Sequence, residues 1–228
     1  MEVLTLSTSR RGEIGSRLIA HWRLKLAGVP AFIVVFFAAY FLLLRFPVFE
    51  VTTMPLTAFD AAIPFQPASL VIYFSLWFYV SLAPAMLQDR GELLFHGRVA
   101  GCMSLVGLGV FFFWPTTVPL GDSLRDVDGA GLAWLKQVDS AGNACPSLHV
   151  AFAVFSGVWL DRVLVEMRLP AITRWLNLAW CLAIAYSTLS TKQHVLVDVI
   201  AGAALGATAG FIGYGKAVRK YRSVRRRD

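Results

Sequence analysis

Two short runs of this chain bring together residue types that can do chemistry. In STLSTKQHVLVDVIAG, Ser187 to Gly202, His194 and Asp198 stand four apart at the start of a long apolar segment. On a helix that spacing stacks them on one face, where the carboxylate braces the imidazole. In NACPSLHV, Asn143 to Val150, the residues Pro146, Ser147 and His149 stand where a polar loop gives way to an apolar run. A helix starting there offers unpaired backbone N–H groups, a hydroxyl and an imidazole to an anion. Two histidines at two helix mouths point to chemistry on a phosphate.

In that chemistry Asp198 accepts a hydrogen bond from one ring nitrogen of His194, and the other nitrogen is left as a lone pair to attack phosphorus. His149 complements it by giving a proton to the leaving oxygen. Ser147 donates to a phosphoryl oxygen or, in the plainer reading, caps its helix. Lys192 and Arg125 are the candidate phosphate-binding cations, although a lysine at a helix mouth can equally snorkel to the membrane surface. Holding an ionisable pair inside a membrane segment costs about 2–3 kcal/mol even on lenient scales, so a helix-end hydrogen bond alone is an expensive use of His194 and Asp198.

The elements that must position these groups are apolar helices. With 57% hydrophobic and 15% charged residues over 228 positions, the chain is too apolar for a soluble domain. It has room for about six crossings of about 20 residues each, so the expected fold is an all-α polytopic membrane bundle forming one domain over 1–228. The expected crossings run over about 27–46, 68–87, 99–114, 146–165, 175–189 and 194–214. The first is read as a retained helix, because no small-residue cleavage pattern follows it. Basic tails over 1–26 and 216–228 flank the apolar body and hold most of the net charge of +7. Clusters beside membrane segments set topology and bind anionic headgroups, whereas nucleic acid would need a folded domain to present them. Both termini are therefore expected in the cytoplasm. Of the cations, only Arg45, Arg125, Lys136 and Lys192 then fall outside, beside His149 and His194. The reading is a multi-pass protein of the cell (inner) membrane with an extracytoplasmic site.

Several other features are set aside. Cys102, Cys145 and Cys181 are too few and scattered for a disulfide framework or a zinc site, and are read as packing residues. Asp126, Asp128 and Gly129 resemble a fragment of a calcium loop without its downstream glutamate. Asp89, Glu92 and His96 read as a charged inner connection, so no metal or other cofactor is expected. Leu132 to Val138 is short enough to be a surface helix at most. Gly202, Gly206 and Gly210 form a small-residue stripe, read as a helix interface inside the subunit in preference to a homodimer seam. Two rivals use the same polar residues: a zinc hydrolase with His149, His194 and Asp198 as ligands, and a lipid or proton-coupled transporter.

CPSLHV and STLSTKQHVLVDVIAG resemble the second and third motifs of the type 2 phosphatidic acid phosphatase superfamily, in the branch of inositol phosphorylceramide synthase-like proteins and bacterial lipid phosphatases. PTTVP, Pro115 to Pro119, is a weaker match to the segment before them. The resemblance implies a six-helix membrane fold, metal-independent chemistry, a nucleophile at His194 held by Asp198, and a general acid at His149. It also implies a lipid phosphate substrate, with water or an alcohol as acceptor. The chain departs from the pattern where the first motif's lysine and arginine would stand, near Phe111, Val118 and Leu120. It has Thr188 for the third motif's arginine and Leu148 for the second motif's glycine. Other groups, Lys192 among them, must then meet the phosphate charge.

Overall fold

Apolar runs bounded by caps and prolines set the helices of the computed structural model, which describes residues 12–119 and 143–224, with side chains up to residue 213. After a helical segment over 12–19 come α1 (Trp22–Arg45), α2 (Ala58–Ala62), α3 (Ser69–Phe74), α4 (Leu76–Met86), α5 (Arg90–Phe113), α6 (Leu148–Glu166), α7 (Ala171–Ser190) and α8 (Leu196–Val224). Two short strands, β1 (Thr52–Thr53) and β2 (Thr116–Thr117), pair in parallel, and Thr116 bridges to Asn143. Three connections are thereby knitted together beside the start of α6.

The chain is an all-α polytopic membrane bundle. Among the described residues, five stretches are long and apolar enough to cross a bilayer: α1, α3 with α4, α5, α6, and α8 as far as Gly213. Helix α7, the fifth expected crossing, is 20 residues long but more polar, because it carries Arg174, Asn177 and a closing run of serines and threonines. Asn177 is buried, taking a hydrogen bond from the Tyr79 hydroxyl at 2.6 Å and donating one to Gly157 O at 2.9 Å. Its polarity is satisfied within the bundle instead of facing lipid.

Three expected boundaries move. The connection expected over Asp89 to Arg98 is helical, because the Asp89 carboxylate caps α5 by accepting from Glu92 N at 2.8 Å. Glu92 in turn pairs with Arg162 of α6. The second crossing is interrupted at Ser75, whose hydroxyl donates to Ile72 O at 2.6 Å and accepts from Trp180 Nε1 at 2.9 Å. The last helix starts at Leu196, so His194 belongs to the turn before it and not to its first turn. The expected helix over Leu132 to Val138 lies outside the described residues.

The most extensive helix pairing is α6 with α8. It is built on the glycine stripe. A Cβ placed on Gly202 would run into Ser147 O, one on Gly206 into Ala151 O, and one on Gly210 would press on Val158 Cβ at 3.0 Å. At Gly202 and Gly206 backbone meets backbone, which only glycine allows, and the stripe is a seam within the subunit. At the other end of the bundle, buried Arg17 donates to Glu166 at 2.9 Å, to Glu13 at 3.0 Å and to Met86 O at 3.3 Å. These bonds fix the 12–19 segment against α4 and α6.

Candidate active site

The site lies where α6 and α8 begin. Ser147 caps α6, its Oγ accepting from Val150 N at 3.3 Å, and its own N–H donates to Asp198 O at 3.0 Å. One backbone hydrogen bond thus joins the two sequence motifs, and Gly202 one turn later keeps the helices close enough for it. Asp198 is fully buried. Its Oδ2 accepts from Val195 N at 3.1 Å and stands 3.6 Å from His194 Nδ1, in ion-pair contact short of a hydrogen bond. Although His194 is not on a helix, the carboxylate reaches the ring because the turn brings it back over the first turn of α8.

That turn is dictated locally. Helix α7 closes with Gln193 N donating to Thr188 O at 3.0 Å and Lys192 N to Leu189 O at 3.1 Å, a Schellman pair with Lys192 in the left-handed region at φ 59°. A lysine there is strained, and its side chain supplies the compensation. Lys192 Nζ donates to Asp60 O and Ile63 O, tying the turn to α2. Thr188, standing where the family pattern has an arginine, is fully buried and donates to Ala185 O at 2.8 Å.

His149 comes from the first turn of α6. Its Nε2–H donates to Tyr73 O at 3.0 Å, which leaves Nδ1 as the nitrogen free to exchange protons. Its ring stacks on Tyr73 with centroids 3.9 Å apart and meets Trp77 edge-on at 6.3 Å. His149 and His194 line the same cavity of about 760 Å³, together with Asn143 and Gln193. His194 also forms part of the wall of a smaller cavity of about 250 Å³, shared with Asp60 and Lys192. Among the described residues, Asn143 Oδ1, Gln193 Oε1 and His194 Nδ1 are buried polar atoms here without a hydrogen-bond partner, and a second group, His96 Nε2, Trp159 Nε1 and Arg162 Nε, lies at the other end of the bundle.

Of the residues singled out from the sequence, His149 and His194 face one cavity with Asp198 directly behind His194. Ser147 is fully buried as a cap and is not in the cavity wall. Lys192 borders the smaller cavity while anchored to α2. Arg125, like Lys136, lies outside the described residues. Cys145 is buried, and its thiol is pushed up to about 11, first by burial and then by the Asp198 carboxylate beside it.

Sequence reasoning missed Asp60. Its carboxylate forms a capping box with Thr57 and also accepts from Leu196 N, the first N–H of α8, at 2.8 Å. The Thr57–Asp60 spacing is a visible box, but its partner is 136 positions away. Burial raises the Asp60 pKa, and the hydrogen bonds from Thr57 and Leu196 with the Lys192 charge outweigh that, leaving it below its ordinary value. A carboxyl lowered on folding contributes stability above its unfolded pKa and loses it as pH falls through the folded one. Thermal unfolding in detergent should therefore show a parent advantage over Asp60→Asn at pH 6 that shrinks steadily below about pH 4. An advantage unchanged down to pH 2 would contradict the assignment.

A family model described as the PAP2 superfamily matches residues 48–212, which takes in both histidine runs and every helix from α2 to α7. The chain belongs to the PAP2 superfamily, whose members are generally phosphatases or phosphotransferases. Comparison with curated proteins and with solved structures gives no match.

Proposed function

We propose that the protein is a lipid phosphatase that hydrolyses a lipid phosphate or diphosphate through a phosphohistidine on His194. The observation carrying this reading is that His149, from the first turn of α6, and His194, from the turn before α8, line one cavity, and that His194 has a buried carboxylate 3.6 Å behind it. Asp198 holds the proton on Nδ1 and stabilises the cation that forms, while Nε2 attacks phosphorus. The P–O bond to the lipid breaks as the P–N bond forms. His149, doubly protonated, delivers its Nδ1 proton to the departing oxygen. In the second step the same nitrogen takes a proton from water as the water oxygen attacks phosphorus, releasing phosphate and free His194. The Gln193 amide lines the cavity with His194 and can meet the phosphoryl oxygens, and Lys192, anchored on Asp60 O and Ile63 O, borders the smaller cavity that His194 also lines.

The histidine end faces outward in this proposal. Among the described residues only Arg45 and Lys192 carry positive side chains at that end, whereas Arg17, Arg23, Lys25, Arg90, Arg98, Arg162, Arg168 and Arg174 gather at the other. Basic residues are retained on the cytoplasmic side, which supports an inner-membrane enzyme with both termini inside. The form of the two motifs supports the branch of inositol phosphorylceramide synthase-like proteins and bacterial lipid phosphatases.

Purified protein in detergent micelles should release inorganic phosphate from lipid phosphates without added alcohol. The rate should follow a bell in pH, reporting one group that must be free and one that must be protonated. A flat profile between about pH 5 and 8 would count against paired histidines. Strict dependence on an added alcohol such as inositol would reassign the enzyme to phosphoryl transfer.

A further inference from the structure

We infer that the end of the large cavity remote from the histidines is a second lipid site, which takes the phosphate of an anionic phospholipid from the leaflet at that end onto Lys25 of α1 and Arg98 of α5. The inference does not use the phosphatase reading. Among the described residues, the cavity wall carries two cationic side chains, Lys25 and Arg98, and no carboxylate. Both stand far from the histidine turn. Lys25 precedes Phe37 by about 18 Å of helix, and Phe37 packs on Trp77, which meets His149. Arg98 follows Glu92 by about 9 Å of helix, and Glu92 pairs with Arg162, at the opposite end of α6 from His149.

The protein does not neutralise these charges itself. Lys25 Nζ donates to Arg17 O at 2.6 Å and Ala85 O at 2.7 Å, both neutral carbonyls, and an ammonium has a third N–H to give. Arg98 is exposed and has no hydrogen bond or ion pair with a described residue. The acids at this end are engaged elsewhere, Glu92 with Arg162, Glu13 and Glu166 with Arg17, and Asp161 with Arg174. A cation within a membrane-crossing helix is costly without a counter-charge, and here the surrounding lipid is what can supply one. Basic pockets between membrane helices take phospholipid headgroups in this way, the guanidinium fork meeting two phosphate oxygens and the ammonium a third. A zwitterionic headgroup would bring its own ammonium to two cations, so an anionic lipid fits better. Gly28, about one turn after Lys25, and Gly97, next to Arg98, also line the wall. A Cβ on Gly97 meets nothing within 4 Å, and one on Gly28 meets only Leu24 Cδ1 at 4.0 Å, so the wall beside the cations is open. Beyond it Phe32 and Phe36 continue an apolar surface for the acyl chains.

The test measures binding without turnover. Phosphatidylglycerol titrated into the full-length protein in neutral detergent should raise its thermal midpoint and stay bound in native mass spectra. Phosphatidylcholine with the same chains should bind more weakly, and inorganic phosphate should do neither. Arg98→Gln should weaken phosphatidylglycerol about tenfold, the loss expected for a charge-assisted hydrogen bond. Gly97→Leu fills the open wall without removing a charge and should weaken the lipid by a similar factor. Arg90→Gln, at the same end but outside the cavity wall, and His194→Ala should each bind within about twofold of the parent. Equal losses in Arg98→Gln and Arg90→Gln would mean adsorption to the basic end at large, and an equal loss in His194→Ala would put the headgroup among the histidines; either result overturns the inference. So does phosphatidylcholine or inorganic phosphate binding as tightly as phosphatidylglycerol, or an affinity untouched in both Arg98→Gln and Gly97→Leu. The expected binding pattern without phosphate release from any lipid would overturn the phosphatase reading and leave the second site standing.

Discussion

His194→Ala is expected to lower phosphate release by about 10⁴-fold or more, because in the proposed mechanism it removes the atom that bonds to phosphorus, and among the described residues neither Lys192 nor Ser147 is placed to replace it. Lys192 is anchored on α2, and Ser147 is buried as a cap. In the proposed reaction the Michaelis constant should move little, since most of the lining of the large cavity comes from α1, α4 and α5 and the histidine turn contributes only Gln193 and His194. Asp198→Asn should be milder, with a fall of about 10²- to 10⁴-fold. An amide oxygen can still accept from Val195 N, so the turn survives, while the charge facing Nδ1 is lost. Rapid acid-free quenching with labelled substrate should trap a phosphoenzyme in the parent that is stable in alkali and labile in acid, and none in His194→Ala. Turnover within tenfold of the parent in that variant would end the nucleophile assignment.

The second large effect concerns the fold. Gly206→Leu should prevent α6 and α8 from closing, because even its Cβ would overlap Ala151 O, a backbone atom that no rotamer change can move aside. Overpacking a core costs about 1–3 kcal/mol when side chains can yield, and a backbone clash belongs at or above the top of that range. For a chain of this length, 3 kcal/mol corresponds to a drop of about 6–12 °C in thermal midpoint. Gly101→Leu provides the control, since a Cβ there meets nothing within 4 Å. Unfolding followed by near-ultraviolet circular dichroism in one detergent should separate the two variants clearly. A Gly206→Leu protein as stable as Gly101→Leu would mean that the seam is looser than its geometry.

What could be read from the sequence was what is local. Apolar runs mark the crossings, and the glycines four apart in α8 announce a close helix neighbour, found to be α6. The two histidines were visible because each sits in a run whose neighbours also suit an anion. Distant partnerships were not legible. The Thr57–Asp60 spacing says nothing of Asp60's second partner, since that role depends on Leu196 N–H arriving from 136 positions away. Nor did Tyr73 advertise itself, because it holds His149 through a backbone carbonyl, which every residue possesses. Periodicity also misled at His194: a four-residue spacing resembles one helix face, yet a Schellman turn followed by a capped start brings the same two residues together. The charged stretch from Asp89 to Arg98 looked like a connection because charges are rare in crossings, whereas a cap and the Glu92–Arg162 pair keep it helical.

The bond from Ser147 N to Asp198 O, secured by Gly202, makes the first turns of α6 and α8 a single rigid part. Bilayers differ in thickness, and embedded helices answer by tilting. In the proposed mechanism the acid on α6 and the carboxylate at the start of α8 would lean together, which would keep their alignment as the surrounding lipid changes. On that reading, turnover would depend less on bilayer thickness than the tilt of single helices suggests.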